Sequence, residues 1–214
     1  MYIIADTHFG HANIVLFEPS RLTNIQIDGH IDHDKWLLEN WNNAVSKDDT
    51  ILHLGDVAFK DSYKIAQKLN GNITLIVGNH DKKEHIRYYK TLGWNIIDKI
   101  ILDIPNHHKI FNTLNKKFSK DELSHELLCC KVMDMNNHRV MFSHFPVFDN
   151  NPYDKKYKKI TNILDKIYTL ANCTINIHGH THCKKSNFKD NVNVSVECIG
   201  FKPKRLRDIL DELS

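Results

Sequence analysis

The chain has 214 residues, 29 Lys and Arg against 26 Asp and Glu, a formal net charge of +3, and 41% hydrophobic residues. This length suits one domain with a real core, and no apolar run approaches the roughly 20 residues that cross a bilayer. We therefore expect a soluble, globular, single-domain protein over 1–214 and no association with a membrane.

The cysteines and the N-terminus point to a reducing compartment. Five cysteines, an odd number, include no C-x-x-C pair, which disfavours both a disulfide framework and a Cys-rich zinc site. The first residues lack the basic start, long apolar run and small-residue cleavage site of a secretory signal. The sequence therefore predicts a cytoplasmic protein.

The first half of the chain alternates predicted strands with predicted helices. Short runs rich in Ile and Val at 2–5, 51–54 and 73–77 stop abruptly at a polar residue or glycine, as buried strands do. Amphipathic patterns predict helices at 32–46, 61–70 and 82–92. Alternating elements of this kind indicate an α/β layered domain.

The second half has a further short apolar run at 174–177, and it adds strands that no helix clearly separates, at 96–104, 127–135, 139–145 and 192–199. In the last of these, three valines alternate with Asn193, Ser195 and Glu197, which is typical of a sheet with one solvated face. Helices are predicted at 158–171 and 203–213, and the polar stretch 105–126 is predicted to be an insertion or cap. We therefore expect a second, partly antiparallel sheet.

Side chains that can bind metals follow five of the predicted strands. Carboxyl ends of strands converge on one crevice in layered α/β sheets, so these side chains should lie together. A glycine directly precedes three of them, where close approach of the backbone excludes a Cβ. The candidates are Asp6, His8, Asp56, Asn79, His80, His144, His180 and His182.

The mixture of donor atoms indicates the kind of metal. Carboxylate oxygen, amide oxygen and imidazole nitrogen together suit Mn²⁺, Fe, Zn²⁺ or Co²⁺ better than Ca²⁺. The candidates are too many for one ion, whereas two ions that share a bridging carboxylate would use them economically. Two such ions stabilise both the attacking and the leaving oxygen in phosphoryl displacement. We expect two divalent ions, with Mn²⁺ as the first choice.

Taken in order, five short blocks in this chain resemble the signature of the calcineurin-like metallophosphoesterases. They are Asp6-Thr7-His8, Gly55-Asp56, Gly78-Asn79-His80-Asp81, Ser143-His144 and Gly179-His180-Thr181-His182. The resemblance implies a four-layer α/β/β/α sandwich of two mixed sheets. It also implies that Asp6, His8 and His182 hold the first metal, that Asp56 bridges, and that Asn79, His144 and His180 complete the second site.

The resemblance leaves His80 without a metal and implies that it faces the phosphate and protonates the leaving oxygen. Two divalent ions lower the pKa of a shared water, so we expect direct attack by hydroxide without a covalent intermediate. The protein-phosphatase branch has G-D-x-x-D-R-G at its second block, whereas Phe59 and Lys60 stand in place of its Asp and Arg. A lysine grips a phosphomonoester less well than arginine does.

The sequence therefore favours a phosphodiesterase that acts on a nucleotide-like substrate. The alternatives are a phosphomonoesterase, an exonuclease that binds nucleic acid through the basic clusters 155–159 and 202–207, and a non-catalytic binding scaffold on the same fold. The oligomeric state, and whether 105–126 closes over the site, stay open.

The other histidines receive simpler interpretations. His11 lies close enough to the first block to contact substrate, and His53 and His178 lie inside apolar runs and are predicted to be core residues with hydrogen bonds. The remaining histidines are predicted to lie at the surface: His30, His33, His85, His107, His108, His125 and His138.

Overall fold

The structure, a computed structural model, describes residues 1–149 and 152–213, and the side chains of all of these except 152–154. The strands are Tyr2–Ile4 (β1), Thr50–His53 (β2), Asn72–Ile76 (β3), Asn95–Ile97 (β4), Ile100–Asp103 (β5), Cys130–Met135 (β6), His138–Ser143 (β7), Ile175–His178 (β8), Asn191–Asn193 (β9) and Lys204–Arg205 (β10). The α-helices are Ile14–Phe17 (α1), Pro19–Ile27 (α2), His33–Ala44 (α3), Lys83–Thr91 (α4), His107–Lys117 (α5), Lys120–Leu123 (α6), Lys158–Ala171 (α7) and Leu206–Asp211 (α8), and Lys60–Lys68 and Pro152–Tyr157 are 3-10 helices.

The strands form two five-stranded sheets, with the orders β10-β1-β2-β3-β4 and β5-β6-β7-β8-β9. In the first sheet β1 to β4 are parallel and only β10 runs antiparallel. In the second, the β6 and β7 pair is antiparallel and the other pairs are parallel. Both sheets are therefore mixed, and β1, β2 and β3 end at one edge.

Three hydrophobic clusters show how the sheets are layered. Ile4 of β1 packs outward against Trp36 and Trp41 of α3, whereas Ile3 packs inward with Phe142 of β7 in a cluster between the sheets. Met141, on the other face of β7, packs against α7. Because strand side chains alternate between faces, these clusters define helix, sheet, sheet and helix layers, which confirms the predicted α/β/β/α sandwich.

Two predicted strands differ from the observed ones. The stretch 96–104 forms β4 in the first sheet and β5 in the second, because the chain crosses between layers at Asp98 and Lys99. The stretch 192–199 is strand only to Asn193, and Ser195 then forms an isolated bridge with Ala5. Its polar side chains are not a solvated face, since Ser195 is fully buried. The apolar alternation was correct, but the opposite face contacts protein.

Helices agree more closely with the sequence. The predicted helix 158–171 is α7, and Asn172 follows it in the left-handed conformation (φ 53°) that ends many helices. The Asp32 side chain accepts a hydrogen bond from the Lys35 amide and caps α3. Predicted helix 61–70 is a 3-10 helix instead.

The polar stretch 105–126 contains α5 and α6. Ile110 and Leu114 of α5 are buried in the cluster that also contains the apolar face of α7. A capping box of Ser119 and Glu122 starts α6. Every helix in the described part of the chain is too short or too polar to span a bilayer.

Candidate metal centre

The loops after β1, β2, β3, β7 and β8 meet at one edge of the two sheets. The His8 Nε2 atom lies 3.7 Å from Asp6 Oδ1 and 3.7 Å from Asp56 Oδ2. The His144 Nε2 atom lies 3.6 Å from Asp56 Oδ2 and 2.9 Å from Asn79 Oδ1. Residues more than one hundred positions apart are thus brought into one polar cluster.

Asp56 stands between the two halves of this cluster. Its Oδ1 atom accepts a hydrogen bond from the His80 amide at 2.8 Å. Its Oδ2 atom faces both His8 and His144. One oxygen is therefore held by the backbone, while the other is directed to the point where two neighbouring cations could share it.

The donor atoms form two groups that fit a metal ion. Asp6, His8 and His182 make one group, and Asp6, Asp56 and His144 make the other, with ligand atoms within 4.8 Å of one another in each. The Asp6 Oδ1 and His8 Nε2 atoms are buried and lack a hydrogen-bond partner. Buried polar atoms without partners are costly, and a divalent cation would satisfy both.

His180 and His182 end the block after β8. The His180 ring centroid lies 5.1 Å from that of His144, and its backbone amide donates to Asp6 Oδ2 at 2.8 Å. The His182 ring is stacked on His8 with centroids 4.9 Å apart. All seven predicted ligands thus lie at this edge of the sheets.

The backbone of the ligand loops is strained. Left-handed φ angles are uncommon and costly for residues other than glycine. Such a chain conformation must be held by surrounding contacts. The predicted ligands with these angles are Asp6 (56°), His8 (52°), Asp56 (60°), His180 (68°) and His182 (50°).

Two glycines allow the loops to approach one another. A Cβ on Gly179 would lie 2.4 Å from Asp6 Oδ2, and one on Gly78 would lie 2.4 Å from Asp56 Oδ1. Both distances are well inside van der Waals contact. These two glycines, each of which precedes a predicted ligand, therefore stand where a side chain would displace a carboxylate, as their positions in the sequence suggested.

Asp81 joins the loops after β2 and β3. Its buried carboxylate accepts hydrogen bonds from the amides of Asp56 (2.9 Å), Val57 (3.0 Å) and Gly78 (2.9 Å). Sequence reasoning gave it no role, although its place directly after His80 was a signal that could have found it.

A second set of supporting residues comes from the segment that follows β8. Ser195 Oγ donates to Asp6 Oδ2 at 2.8 Å, and Asn193 Nδ2 donates to the His182 carbonyl at 2.6 Å. The Glu197 carboxylate lies 3.1 Å from His182 Nδ1. The alternating polar residues thus contact the ligand loops, which sequence analysis missed because alternation alone does not tell which face is solvated.

Arg21, on α2, was also missed. Its side chain is fully buried, and it donates to the carbonyls of Asp6 and Thr7 at 2.7 and 2.9 Å and to Glu197 at 2.7 Å.

Burial lowers the pKa of His182, but the hydrogen bond to Glu197 and the charge of Asp6 outweigh it and raise that pKa above its usual value.

The protonation states suit metal binding. Burial lowers the pKa of His8 and of His144 to about 3, so both rings are neutral at neutral pH and can act as ligands. Burial and the neighbouring carboxylates of Asp6 and Asp81 raise the pKa of Asp56 well above its usual value. The cluster therefore repels further negative charge unless cations offset it.

Aromatic rings line the mouth of this site. The Phe59 centroid lies 5.2 Å from that of His8, 4.3 Å from that of His11 and 4.7 Å from that of His80. Phe17, 67% exposed, extends the row with its ring 5.8 Å from His11. The predicted substrate contact His11 thus lies between an exposed ring and the polar cluster.

The basic clusters lie in different places. Tyr157, in the first, has its ring 5.6 Å from His180, with Lys156 Nζ 4.6 Å above it. In the second, Lys204 pairs with Glu212 at 2.8 Å, and the register of Lys204 with Ile3 directs the following residues away from the site. Only the first cluster therefore borders the site.

The remaining histidines mostly follow expectation. His53 and His178 are fully buried and hydrogen-bonded. His85 was expected at the surface but is fully buried, stacked on Tyr63. His33 is half-buried because its ring contacts Arg21 at 3.0 Å. Helical periodicity places His85 on the buried face of α4, a signal that its polarity concealed.

Comparison with known proteins agrees with this geometry. The sequence model of the calcineurin-like phosphoesterase superfamily domain matches residues 1–196. The chain is 27% identical to an uncharacterized protein of Methanocaldococcus jannaschii, covering 95% of this chain and 85% of that protein. It is 24% and 23% identical to the gene 66 proteins of two Mycobacterium phages, covering 86% and 85% of this chain and 79% and 76% of theirs. A solved structure of a protein of unknown function from Aquifex aeolicus is similar over 100% of this chain and 98% of its own, with a TM-score of 0.68 and 26% identity.

Proposed function

Since the chain belongs to the calcineurin-like phosphoesterase superfamily, a family of dimetal-dependent enzymes, we propose that it hydrolyses a phosphodiester in a nucleotide-like substrate. The proposal rests on the position of the Asp56 Oδ2 atom, which lies 3.7 Å from His8 Nε2 and 3.6 Å from His144 Nε2. A carboxylate oxygen between two sets of nitrogen donors suits a pair of adjacent cations.

The two ions would have different ligands. Asp6, His8 and His182 would hold the first, and Asn79, His144 and His180 the second, with Asp56 shared. The nitrogen and oxygen donors favour Mn²⁺, with Fe, Zn²⁺ and Co²⁺ as alternatives. When bound, the two ions would supply positive charge to the phosphate oxygens and would favour ionisation of a water molecule at neutral pH.

His80 would act on the leaving oxygen. Its side chain is 44% exposed, and its Nε2 atom lies 4.0 Å from Asp56 Oδ2, so it faces both the solvent and the site. Burial and the neighbouring His180 and Lys156 lower its pKa to about 4 in the free protein. The negative charge of a bound phosphate opposes this shift, so substrate would favour the imidazolium that can give its proton to the leaving oxygen.

The rings at the mouth support a nucleotide-like diester. Lys60 occupies the position at which an arginine would grip a phosphomonoester dianion, and the residue before it, Phe59, packs against His80. The rings of Phe17, which is exposed, and His11, which is half-buried, offer flat faces on which a base could stack. Lys156 lies near enough to His80 to affect its pKa and could bind a second phosphate. We place this activity in the cytoplasm.

The experiment compares hydrolysis of bis-p-nitrophenyl phosphate with p-nitrophenyl phosphate by protein loaded with Mn²⁺, for the wild type and for His80→Ala. We expect faster hydrolysis of the diester, and a kcat about 10²- to 10⁴-fold lower in His80→Ala with two Mn²⁺ still bound. His125→Ala, at an exposed histidine, is the matched control and should retain wild-type kcat.

Four results would contradict parts of the proposal. Preference for the monoester would identify a phosphomonoesterase, and rapid degradation of a labelled oligonucleotide in parallel with poor turnover of small diesters would identify an exonuclease. Loss of Mn²⁺ from His80→Ala would remove the assigned role of this residue. Binding of two Mn²⁺ with no hydrolysis of any phosphoester would indicate a non-catalytic scaffold.

A further inference from the structure

We propose that Arg21 and Glu197 are positioning residues that together hold Asp6, His8 and His182 in the geometry that binds the first metal ion. This inference rests on the proposed dimetal site. Neither residue belongs to the five blocks, and Glu197 lies one position beyond the part of the chain that the family's sequence model matches.

Glu197 fixes the His182 ring. Its Oε1 atom lies 3.1 Å from His182 Nδ1, and its side chain is only 1% exposed. With Nδ1–H donated to a carboxylate, the lone pair of the ring is on Nε2, which is the nitrogen left for a metal. The contact therefore selects both the tautomer and the orientation of this ligand.

Arg21 fixes the loop that carries Asp6 and His8. Its guanidinium donates to the carbonyls of Asp6 at 2.7 Å and Thr7 at 2.9 Å. Asp6 and His8 have φ angles of 56° and 52°, which the loop would leave if its carbonyls were free to turn. Two hydrogen bonds from one rigid planar group thus hold the strained loop.

The two residues act as one unit because they form a buried ion pair. Arg21 Nε donates to Glu197 Oε1 at 2.7 Å, the same oxygen that contacts His182. An apolar pair of similar volume can fill such a space without loss of stability. What the charged pair adds is direction, since it aims two donors at backbone carbonyls and one acceptor at an imidazole.

Mn²⁺ binding tests this inference without reference to turnover. The two dissociation constants are measured by titrating metal-free protein with Mn²⁺ and following the free ion by electron paramagnetic resonance. In Glu197→Ala we expect one of the two sites to bind about 10- to 100-fold more weakly and the other to stay within about twofold of the wild type. Glu212→Ala, which removes an exposed carboxylate paired with Lys204, should change neither constant.

A double variant separates positioning from folding, since Glu197→Ala leaves the buried Arg21 charge unpaired. Arg21→Met with Glu197→Leu removes both charges and keeps the volume, so we expect a folded protein, checked by circular dichroism, with the same site weakened by the same factor. Glu197→Gln keeps an acceptor oxygen near His182 and should recover part of the loss.

Two outcomes overturn the inference and leave the proposed function intact. In the first, the folded double variant binds both Mn²⁺ ions with wild-type constants. In the second, Glu197→Ala binds Mn²⁺ equally more weakly at both sites, and its metal-free form has a lower Tm than the metal-free wild type. The pair would then stabilise the fold as a whole rather than position the ligands of one ion. A wild-type protein that binds no pair of Mn²⁺ ions would overturn the proposed function and this inference together.

Discussion

The carboxylates of Asp6 and Asp56 are arranged at a cost in folding free energy. Both are buried, both belong to residues with left-handed φ, and Asp6 Oδ1 lacks a hydrogen-bond partner. Contacts from Ser195, Asp81 and Arg21 offset part of this cost. Strained backbone and polar atoms without hydrogen-bond partners concentrate where function requires a fixed geometry, which is how we interpret them here.

The buried ring of His53 makes the stability of the fold depend on pH. Its Nδ1 atom accepts a hydrogen bond from the Gly55 amide at 3.1 Å, and burial lowers its pKa to about 4. An unfolded chain takes up this proton near pH 6.5, whereas the folded protein does not until about pH 4. The folded state thus binds fewer protons in that window, and stability is lost as the pH falls through it, by at most about 1.4 kcal/mol per pH unit.

Urea unfolding of metal-free protein between pH 7 and pH 4.5 measures this slope. His53→Gln should have a free energy of unfolding that falls less steeply with decreasing pH than that of the wild type. His125→Gln, at an exposed position, should match the wild-type slope. Equal slopes for the wild type and His53→Gln would show that the fold does not lower the pKa of His53.

The apolar periodicity of the sequence predicts the buried face of α7, whereas in the segment 191–197 it predicts only one of the two faces that contact protein. The apolar face of α7 lies where its 3.6-residue periodicity predicts, and it packs against β6, β7 and α5. In 191–197 the period of two was also correct, but both faces contact protein, because the polar one supports the loops of Asp6 and His182.

A pair of substitutions in α7 tests the packing of this element. Leu164 is fully buried in the outer cluster of the second sheet, whereas Asn162 is exposed. We expect Leu164→Ala to lower the free energy of unfolding by about 2 to 5 kcal/mol because it leaves a cavity. Asn162→Ala should change it by less than about 0.5 kcal/mol.

Urea unfolding monitored by circular dichroism compares the two α7 variants. A loss below about 1 kcal/mol for Leu164→Ala, outside the range for buried leucines, would contradict the packing described for α7.

The whole molecule divides the candidate site between its two sheets. The first sheet supplies Asp6, His8, Asp56 and Asn79 through the loops after β1, β2 and β3, and the second supplies His144, His180 and His182 through the loops after β7 and β8. Each proposed metal ion would therefore contact both sheets. Metal binding should therefore oppose separation of the two sheets, and it should also provide partners for the buried ligand atoms.

Thermal unfolding measures how much metal binding stabilises the fold. Mn²⁺ at 100 times its dissociation constant should stabilise the protein by about 2.7 kcal/mol per site, which raises Tm by about 5 to 10 °C per site for a chain of this size. A chelator should reverse the shift.

Two carboxylate variants provide the controls for this shift. Asp56→Asn should lose most of it, and Asp98→Asn, at an exposed aspartate, should keep it. An equal shift in both variants would place the stabilising ions elsewhere.

The sequence by itself determined the five blocks and the bounds of α7, because these depend on residues that are neighbours along the chain. The sandwich of two mixed sheets was predicted from the resemblance of the five blocks to a known family. Turn chemistry, glycine positions and apolar periodicity are local properties and can be recognised without coordinates. Tertiary structure alone decided that 96–104 divides between two sheets and that Glu197 faces His182 rather than solvent. The Arg21 and Glu197 pair joins residues separated by 176 positions, and a buried contact of that range leaves no local pattern, since its stability comes from the environment that the folded chain builds around it.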